Sequence, residues 1–475
     1  MDKKILSNLC SAALQIKPLS NNIFLTIGHD DKNSRLGWVI PPDFKAVEKF
    51  FQNFSLLAKN KKEFVFIGMG GSINGIKVLA QFTKTKNIHT FDSLDPYSLN
   101  KIISNIKNKK NLLVVPITKS GTTLETHRLA NCLKNLYKNE WHEHFLWLAD
   151  PSSFEKIYSR DWEKVHTLPI QVNHGNDIGG RFTCPHTAIF LIPLFIIWGG
   201  KINKIKALWG KYIKTRKESM EKACKLASSL KDLKRGYFSI LVRKKFKEPF
   251  NTWITQLFQE SLGSKNTNFK VKTKIISDKK QSPDYFTLIE VPNFGKDPIL
   301  YIMSAMVFLQ FFVALFAYYK KINFVNQPYV EEYKKQMKEL EKTKMPEPCQ
   351  ISLNALLEQI NARLNTNIKF IELVFYFDLD MEKQKKVYHI LKEKFYDKEI
   401  FISIGSDWNH HSYQSAFLDD STLFIILVAK SYRKSDIIPK NFQDGNTAVL
   451  ESIAYATFVT LKEKAILYKI SDTEI

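Results

Sequence analysis

KEFVFIGMGGSINGIKVLAQF, residues 62–82, decides the fold. Its first seven residues, Lys62 to Gly68, read as a short apolar strand. The turn Gly68–Ser72 carries three glycines, and a helix follows from Ile73 to Phe82. Strand, tight turn and helix in that order make half of a βαβ unit, and the residues downstream repeat the alternation. Ile88–Leu94 is the next strand, and NLLVVP at 111–116, apolar after Asn111, reads as a strand buried on both faces. A helix from Thr123 to about Tyr137 and a strand at His144–Leu148 continue the pattern. The fold class is therefore α/β, a mainly parallel sheet flanked by helices.

Further along, Thr187–Trp198 is apolar all round and reads as a buried helix, and a charged helical stretch occupies about 204–234. A second α/β region is expected after it. Its strands are placed at Tyr237–Val242, Tyr285–Val291, Phe370–Phe377, Ile400–Ile404 and Thr422–Ala429. Its helices are placed near 250–262, 298–319, 328–342, 381–396 and 446–463, with the Pro- and charge-rich segment 341–349 as a loop. The expected organisation is a helical arm at 1–45, a first domain at 46–200, and a second at 201–475 ending in a helix.

A chain of 475 residues exceeds one ordinary core, and 44% hydrophobic content supports globular packing. The net charge of +23 comes from lysines scattered along the chain. No basic helix concentrates them, so nucleic acid is not an expected partner, although the field would attract an anionic substrate. Five cysteines, an odd number with no C-x-x-C spacing, suggest neither a disulfide framework nor a zinc site and fit a cytoplasmic location. The apolar run in MDKKILSNLCSAALQIK is too broken for a signal peptide. Ile299–Tyr319 is uncharged and long enough to span a bilayer. Asp297-Pro298 before it reads as a helix cap followed by Pro at the first helical position, and Ser304 and Gln310 interrupt the run. A buried core helix is expected there, with no membrane partner.

Four further stretches carry chemistry. The glycine turn at 68–72 lets backbone N–H groups approach an anion, although an ordinary strand-to-helix turn has the same composition. Thr118-Lys119-Ser120-Gly121-Thr122-Thr123 sets hydroxyls, an ammonium and a helix N-terminus at one spot, which suits a phosphoryl group. In QLFQESLGSKN, residues 256–266, Gln256 and Glu260 lie one helical turn apart, as a general base and its amide neighbour would, or as an exposed surface pair would. Arg181, after two glycines, fits either a structural ion pair or the stabilisation of an anionic intermediate.

Taken in order, IGMGGSING (67–75), ITKSGTTLET (117–126), DIGGRFTCP (177–185), QESLG and NQPYVEEYK (326–334) resemble the glucose-6-phosphate isomerase family over roughly residues 60–340, with a weaker continuation to the C-terminus. The resemblance implies two SIS-type sugar-isomerase domains. It also implies reversible isomerisation of glucose 6-phosphate and fructose 6-phosphate through an enediolate, in glycolysis and gluconeogenesis, by a homodimer without cofactor or metal. By this resemblance Glu260 is the proton-transfer base, Arg181 holds the enediolate charge, and Lys334 assists at the ring oxygen. Gln256 bonds the sugar or the base. Thr118, Lys119, Ser120 and Thr123, with Thr122 in the same turn, bind phosphate, and Gly71 and Ser72 match the first turn.

The ring-opening histidine is less well matched. The family variant fused to transaldolase carries HSTGQLHKGG after its lysine motif, and the corresponding stretch here is GSDWNHHSYQSAFLDDS, 405–421. His410 and Gln414 fit its first part, but Phe417 falls where the second histidine belongs and Asp419-Asp420 replace the glycines. His410 or His411, oriented by Asp407, would be the substitute acid; a histidine pair in a surface loop is also an ordinary feature. The family's NGK after the base appears here as LGSK. The alternative function is a phosphosugar-binding protein of this fold with impaired catalysis.

Overall fold

Phe64 to Ile67 are all buried, and they form the centre of β1 (Glu63–Ile67), which pairs in parallel with β2 (Ile88–Phe91) and β3 (Leu112–Pro116). The computed structural model describes residues 2–15, 21–30, 33–263, 269–340 and 347–471. Parallel bridges Val114–Phe145 and Ile117–Leu148 carry this arrangement on to β4 (Leu146–Ala149), which pairs in parallel with β5 (His166–Pro169). A second parallel sheet places β6 (Gly236–Leu241) between β7 (Val271–Ile276) and β8 (Thr287–Glu290). All of these strands belong to one structural unit, residues 1–91 and 107–326.

The other unit comprises residues 92–106 and 327–475. Its parallel sheet contains β9 (Phe370–Phe375), β10 (Glu399–Ile404), β11 (Thr422–Ala429) and β12 (Ala465–Ile470), in the order β10-β9-β11-β12. All paired strands in both units run parallel, in keeping with the α/β class read from the sequence. Residue 200, where the sequence suggests a division, lies inside the first unit, between the strands of its two sheets. The strands expected at 237–242 and 285–291 lie in the first unit, and those at 370–377, 400–404 and 422–429 in the second.

Helix Pro298–Lys320 is the hub of the first unit's core. Asp297 caps it, accepting from Ile299 N at 2.9 Å and Leu300 N at 3.1 Å, with Pro298 at the first position. Its apolar window is wholly buried, packed along helix Ile202–Ser229 and against Phe238 and Phe258. The two polar residues that interrupt it are bonded: Ser304 Oγ lies 3.0 Å from Thr215 Oγ1, and Gln310 Nε2 donates to the Cys184 carbonyl at 2.6 Å. Each side chain thus has a partner within the protein, as burial in a core requires.

Candidate active site

β1 and β3 are neighbours, so the turns that follow them emerge at one edge of the sheet, tied by Ile117 N donating to Ile67 O at 2.7 Å. The first turn becomes a short 3-10 helix, Gly70–Ser72, and the second leads through Thr123 into helix Leu124–Lys134. Gly71 sits against the backbone of a third turn, Gly180–Phe182. A Cβ at Gly71 would stand 2.3 Å from the carbonyl carbon of Gly180, so only glycine fits. Thr183 Oγ1 donates to Gly71 O at 3.2 Å and locks the two turns together.

That contact delivers Arg181 to helix Lys247–Leu262, which carries Gln256, Glu260 and Ser261. Arg181 is 2% exposed and Glu260 6%. Arg181 Nη1 lies 3.2 Å from Glu260 Oε1, its Nε donates to Ser261 Oγ at 2.7 Å, and its Nη2 donates to Phe324 O at 2.6 Å. Burial pushes the Arg181 pKa down, and the Glu260 carboxylate opposes that shift. Arg181 thus forms the buried ion pair that one of its two readings expects, beside the glycine turn. Gln256 is equally buried, and its Oε1 accepts from Asn74 Nδ2 at 2.8 Å. The Phe324 carbonyl is itself held in place, because Phe324 N donates to Ile27 O at 3.1 Å and Asn323 Nδ2 donates to Thr26 O at 3.1 Å and His29 O at 2.8 Å.

In the phosphate-type turn, Thr118 Oγ1 lies 2.9 Å from Thr123 Oγ1, and Ser120 Oγ lies 3.0 Å from Thr122 Oγ1. Thr118 is buried, while Ser120 and Thr122 are exposed. Gly121 adopts a left-handed φ of +73° with Ser153 O only 2.7 Å from where a Cβ would be. Burial pulls the Lys119 pKa down to about 8, with Asp150 acting against that shift. Burial likewise pushes Asp150 up to about 6, opposed by Lys119. Between those values both groups are charged. Thr123 caps its helix without a side-chain bond to the backbone, which leaves the N-terminal N–H groups oriented for an anion.

Lys334, His410 and His411 belong to the second unit. Lys334 lies on the solvent side of helix Val330–Leu340, paired with Glu331 at 2.9 Å. His410 ends the short 3-10 helix Asp407–His410, and His411 Nδ1 lies 2.7 Å from Ser412 Oγ. Phe417 stacks on Tyr329 with ring centroids 4.3 Å apart, and Asp419 Oδ1 accepts from Ser421 N at 2.9 Å and Ser421 Oγ at 2.6 Å. The two departures from the histidine motif therefore serve packing and turn formation within this unit. Gln414 Oε1 accepts from Tyr329 N at 3.2 Å. Lys265 of LGSK lies outside the described residues. Three residues of this region, Ser261, Asp150 and Asn74, do not stand out in the sequence. The one signal for Ser261 is its place directly after the glutamate; Asp150 and Asn74 carry none, because their partners are distant in the chain.

No family model matches the sequence. A curated relative named glucose-6-phosphate isomerase, from Thermus thermophilus, is 26% identical over 244 residues, 49% of this chain and 57% of its own. One of the same name from Campylobacter jejuni is 28% identical over 221 residues, 43% of this chain and 51% of its own. The chain spans about half the length of these relatives. Among solved structures, a glucose-6-phosphate isomerase from Chlamydia trachomatis has a TM-score of 0.51 at 14% identity, covering 76% of this chain and 89% of that one. A hypothetical protein from Thermus thermophilus has a TM-score of 0.51 at 20% identity, covering 71% of this chain and 98% of that one. The chain thus resembles the glucose-6-phosphate isomerases in sequence and shares the fold of these structures.

Proposed function

We propose that the protein is a phosphosugar isomerase, and specifically that it interconverts glucose 6-phosphate and fructose 6-phosphate through an enediolate. The observation that carries this reading is the buried Arg181–Glu260 pair at 3.2 Å, with Glu260 on a helix packed against the glycine turn. A protein that only bound phosphosugars would need the two turns and no buried carboxylate beside them. In the open-chain aldose, Glu260 removes the C2 proton, the C–H electrons form the C1–C2 double bond, and negative charge develops on O1. Arg181 stabilises that charge. The O2 hydroxyl proton passes to O1 as the C2 carbonyl forms, and protonated Glu260 returns its proton to C1. Thr118, Lys119, Ser120, Thr122 and Thr123, with Gly71 and Ser72, would hold the phosphate, and Gln256 a sugar hydroxyl. A cytoplasmic homodimer acting in glycolysis and gluconeogenesis completes the proposal, with His410, His411 and Lys334 assigned to ring opening.

The test is a coupled assay of purified protein on fructose 6-phosphate, repeated with Glu260→Gln. Turnover that the variant loses supports the reading, and wild-type protein that binds the substrate without converting it overturns it. That second outcome would favour a phosphosugar-binding protein with impaired catalysis. The stacking of Phe417 where a histidine is expected, and the solvent-side pairing of Lys334, give that alternative its support.

A further inference from the structure

Asn74 is the first residue of helix Asn74–Thr83 and is 1% exposed. An asparagine at a helix start usually bonds the nearby backbone. This one instead sends its side chain across to another helix, where Nδ2 donates to Gln256 Oε1 at 2.8 Å. Its remaining polar atom, Oδ1, is buried and has no partner. The position is two residues beyond Ser72 of the first turn, and Gln256 is one helical turn before Glu260 on the same helix. Because Asn74 donates to the carbonyl end of the Gln256 side chain, it fixes which way that amide faces.

We propose that Asn74 is a specificity-determining residue for the hydroxyls of the bound sugar phosphate. It sets the Gln256 amide so that the carboxamide nitrogen is the end turned away from Asn74, and that nitrogen donates to a hydroxyl of the ligand. A carboxamide held in one orientation favours a ligand whose hydroxyl accepts from that nitrogen over a ligand without the hydroxyl. The inference rests on the phosphosugar reading of the site and does not require turnover.

Calorimetry with two probes tests it: inorganic phosphate, and a hexitol 6-phosphate, which has the hydroxyls and the phosphate but no carbonyl to react. Asn74→Ala should weaken the hexitol phosphate about tenfold, the loss of one hydrogen bond, and leave inorganic phosphate within about twofold. Asn74→Asp has the same shape and no donor, so it should reverse the Gln256 amide and weaken the hexitol phosphate as well. Combining Asn74→Ala with Gln256→Ala should weaken the hexitol phosphate no more than about twofold beyond Gln256→Ala alone. Equal weakening of both probes, a wild-type-like Asn74→Asp, or additive losses would each overturn the assignment. Turnover of fructose 6-phosphate is measured separately on the wild-type protein. A wild type that binds the hexitol phosphate but does not turn over substrate defeats the isomerase reading alone. A wild type that binds inorganic phosphate as well as it binds the hexitol phosphate defeats the Asn74 assignment alone.

Discussion

Glu260 and Arg181 share one low-dielectric pocket, so each is the other's solvent. Glu260→Gln leaves the buried guanidinium without its countercharge while keeping an acceptor. It should lower stability toward the small end of the roughly 3–5 kcal/mol that breaking a buried pair costs, as read by urea denaturation. Proton exchange at C1 and C2 of the substrate, followed in deuterated water, should fall at least ~10²-fold with phosphosugar affinity retained. Undiminished exchange would place the base elsewhere. Lys119 supplies a pH dependence. Its ammonium, with a pKa near 8 against an ordinary 10.5, is the form that binds phosphate. Phosphosugar affinity should therefore fall as pH rises through 8. Folding stability moves the other way there, because the unfolded chain keeps more protons between 8 and 10.5 and the cost of burying the charge is relieved as pH climbs. Lys119→Ala should remove this pH step and weaken inorganic and sugar phosphate alike by roughly 1.5–3 kcal/mol. Asp150→Asn should move the step to lower pH, because it removes the charge that holds Lys119 up.

At the scale of elements, close approach between turns and helices makes the site. A Cβ on Gly75 would lie 2.0 Å from Cys184 Sγ, so Gly75→Ala should cost about 1–3 kcal/mol by overpacking. Cys184→Ala in the same molecule clears the space, and the double variant should be more stable than the sum of the singles predicts; simple additivity in thermal melts would contradict this packing. The elements most legible in sequence are those whose composition has one meaning. LLVVP, five apolar residues ending in proline, is too short for a buried helix such as the one in 187–198 and so reads as a buried strand, and Asp297-Pro298 starts a helix by its cap chemistry. β7 escapes a sequence reading because VKTKII alternates lysine with apolar residues and looks like a solvated stretch, whereas Lys272 is in fact 2% exposed. β5 escapes it because HTLP is short and ends in proline. Arg181 and Glu260 can be picked out singly from local motifs. Their pairing cannot, since it depends on Gly71 packing on Gly180, 109 positions apart by residue number. Nor does anything local assign Asn74 to Gln256, a contact spanning 182 positions.

For the whole molecule, acid should act unevenly on the two units. His186, in the first, is buried between the Trp38 carbonyl, 3.1 Å from Nδ1, and the Tyr212 hydroxyl, and burial pulls its pKa down to about 3. Arg216 pushes it in the same direction. The unfolded chain takes up that proton near 6.5, so the contribution is complete above 6.5 and is lost progressively toward 3, by up to roughly 5 kcal/mol. Asp150 in the first unit and Asp95 in the second, both raised to about 6 by burial, have the opposite sign, since their cost is relieved as pH falls through 6. The urea midpoint of the first unit should therefore fall relative to that of the second as pH drops from about 6.5 to about 4, and His186→Gln should flatten that slope. Trp408 is the only one of the eight tryptophans in the second unit, so its resonance in fluorotryptophan-labelled protein distinguishes the two transitions; coincident transitions at every pH would refute the uneven response. The anchoring of Phe324 and Asn323 to residues 26–29 bears on how the protein is made. The early segment leaves the ribosome some 300 residues ahead of the segment it must hold, and at ordinary elongation rates that is a wait of roughly 15–60 s. Throughout that interval Phe24 and Ile27, buried in the finished molecule, have no late-arriving partner to cover them. The nascent chain is thus exposed to proteases and chaperones at this apolar turn until translation passes residue 324, and the arginine's carbonyl support is installed late.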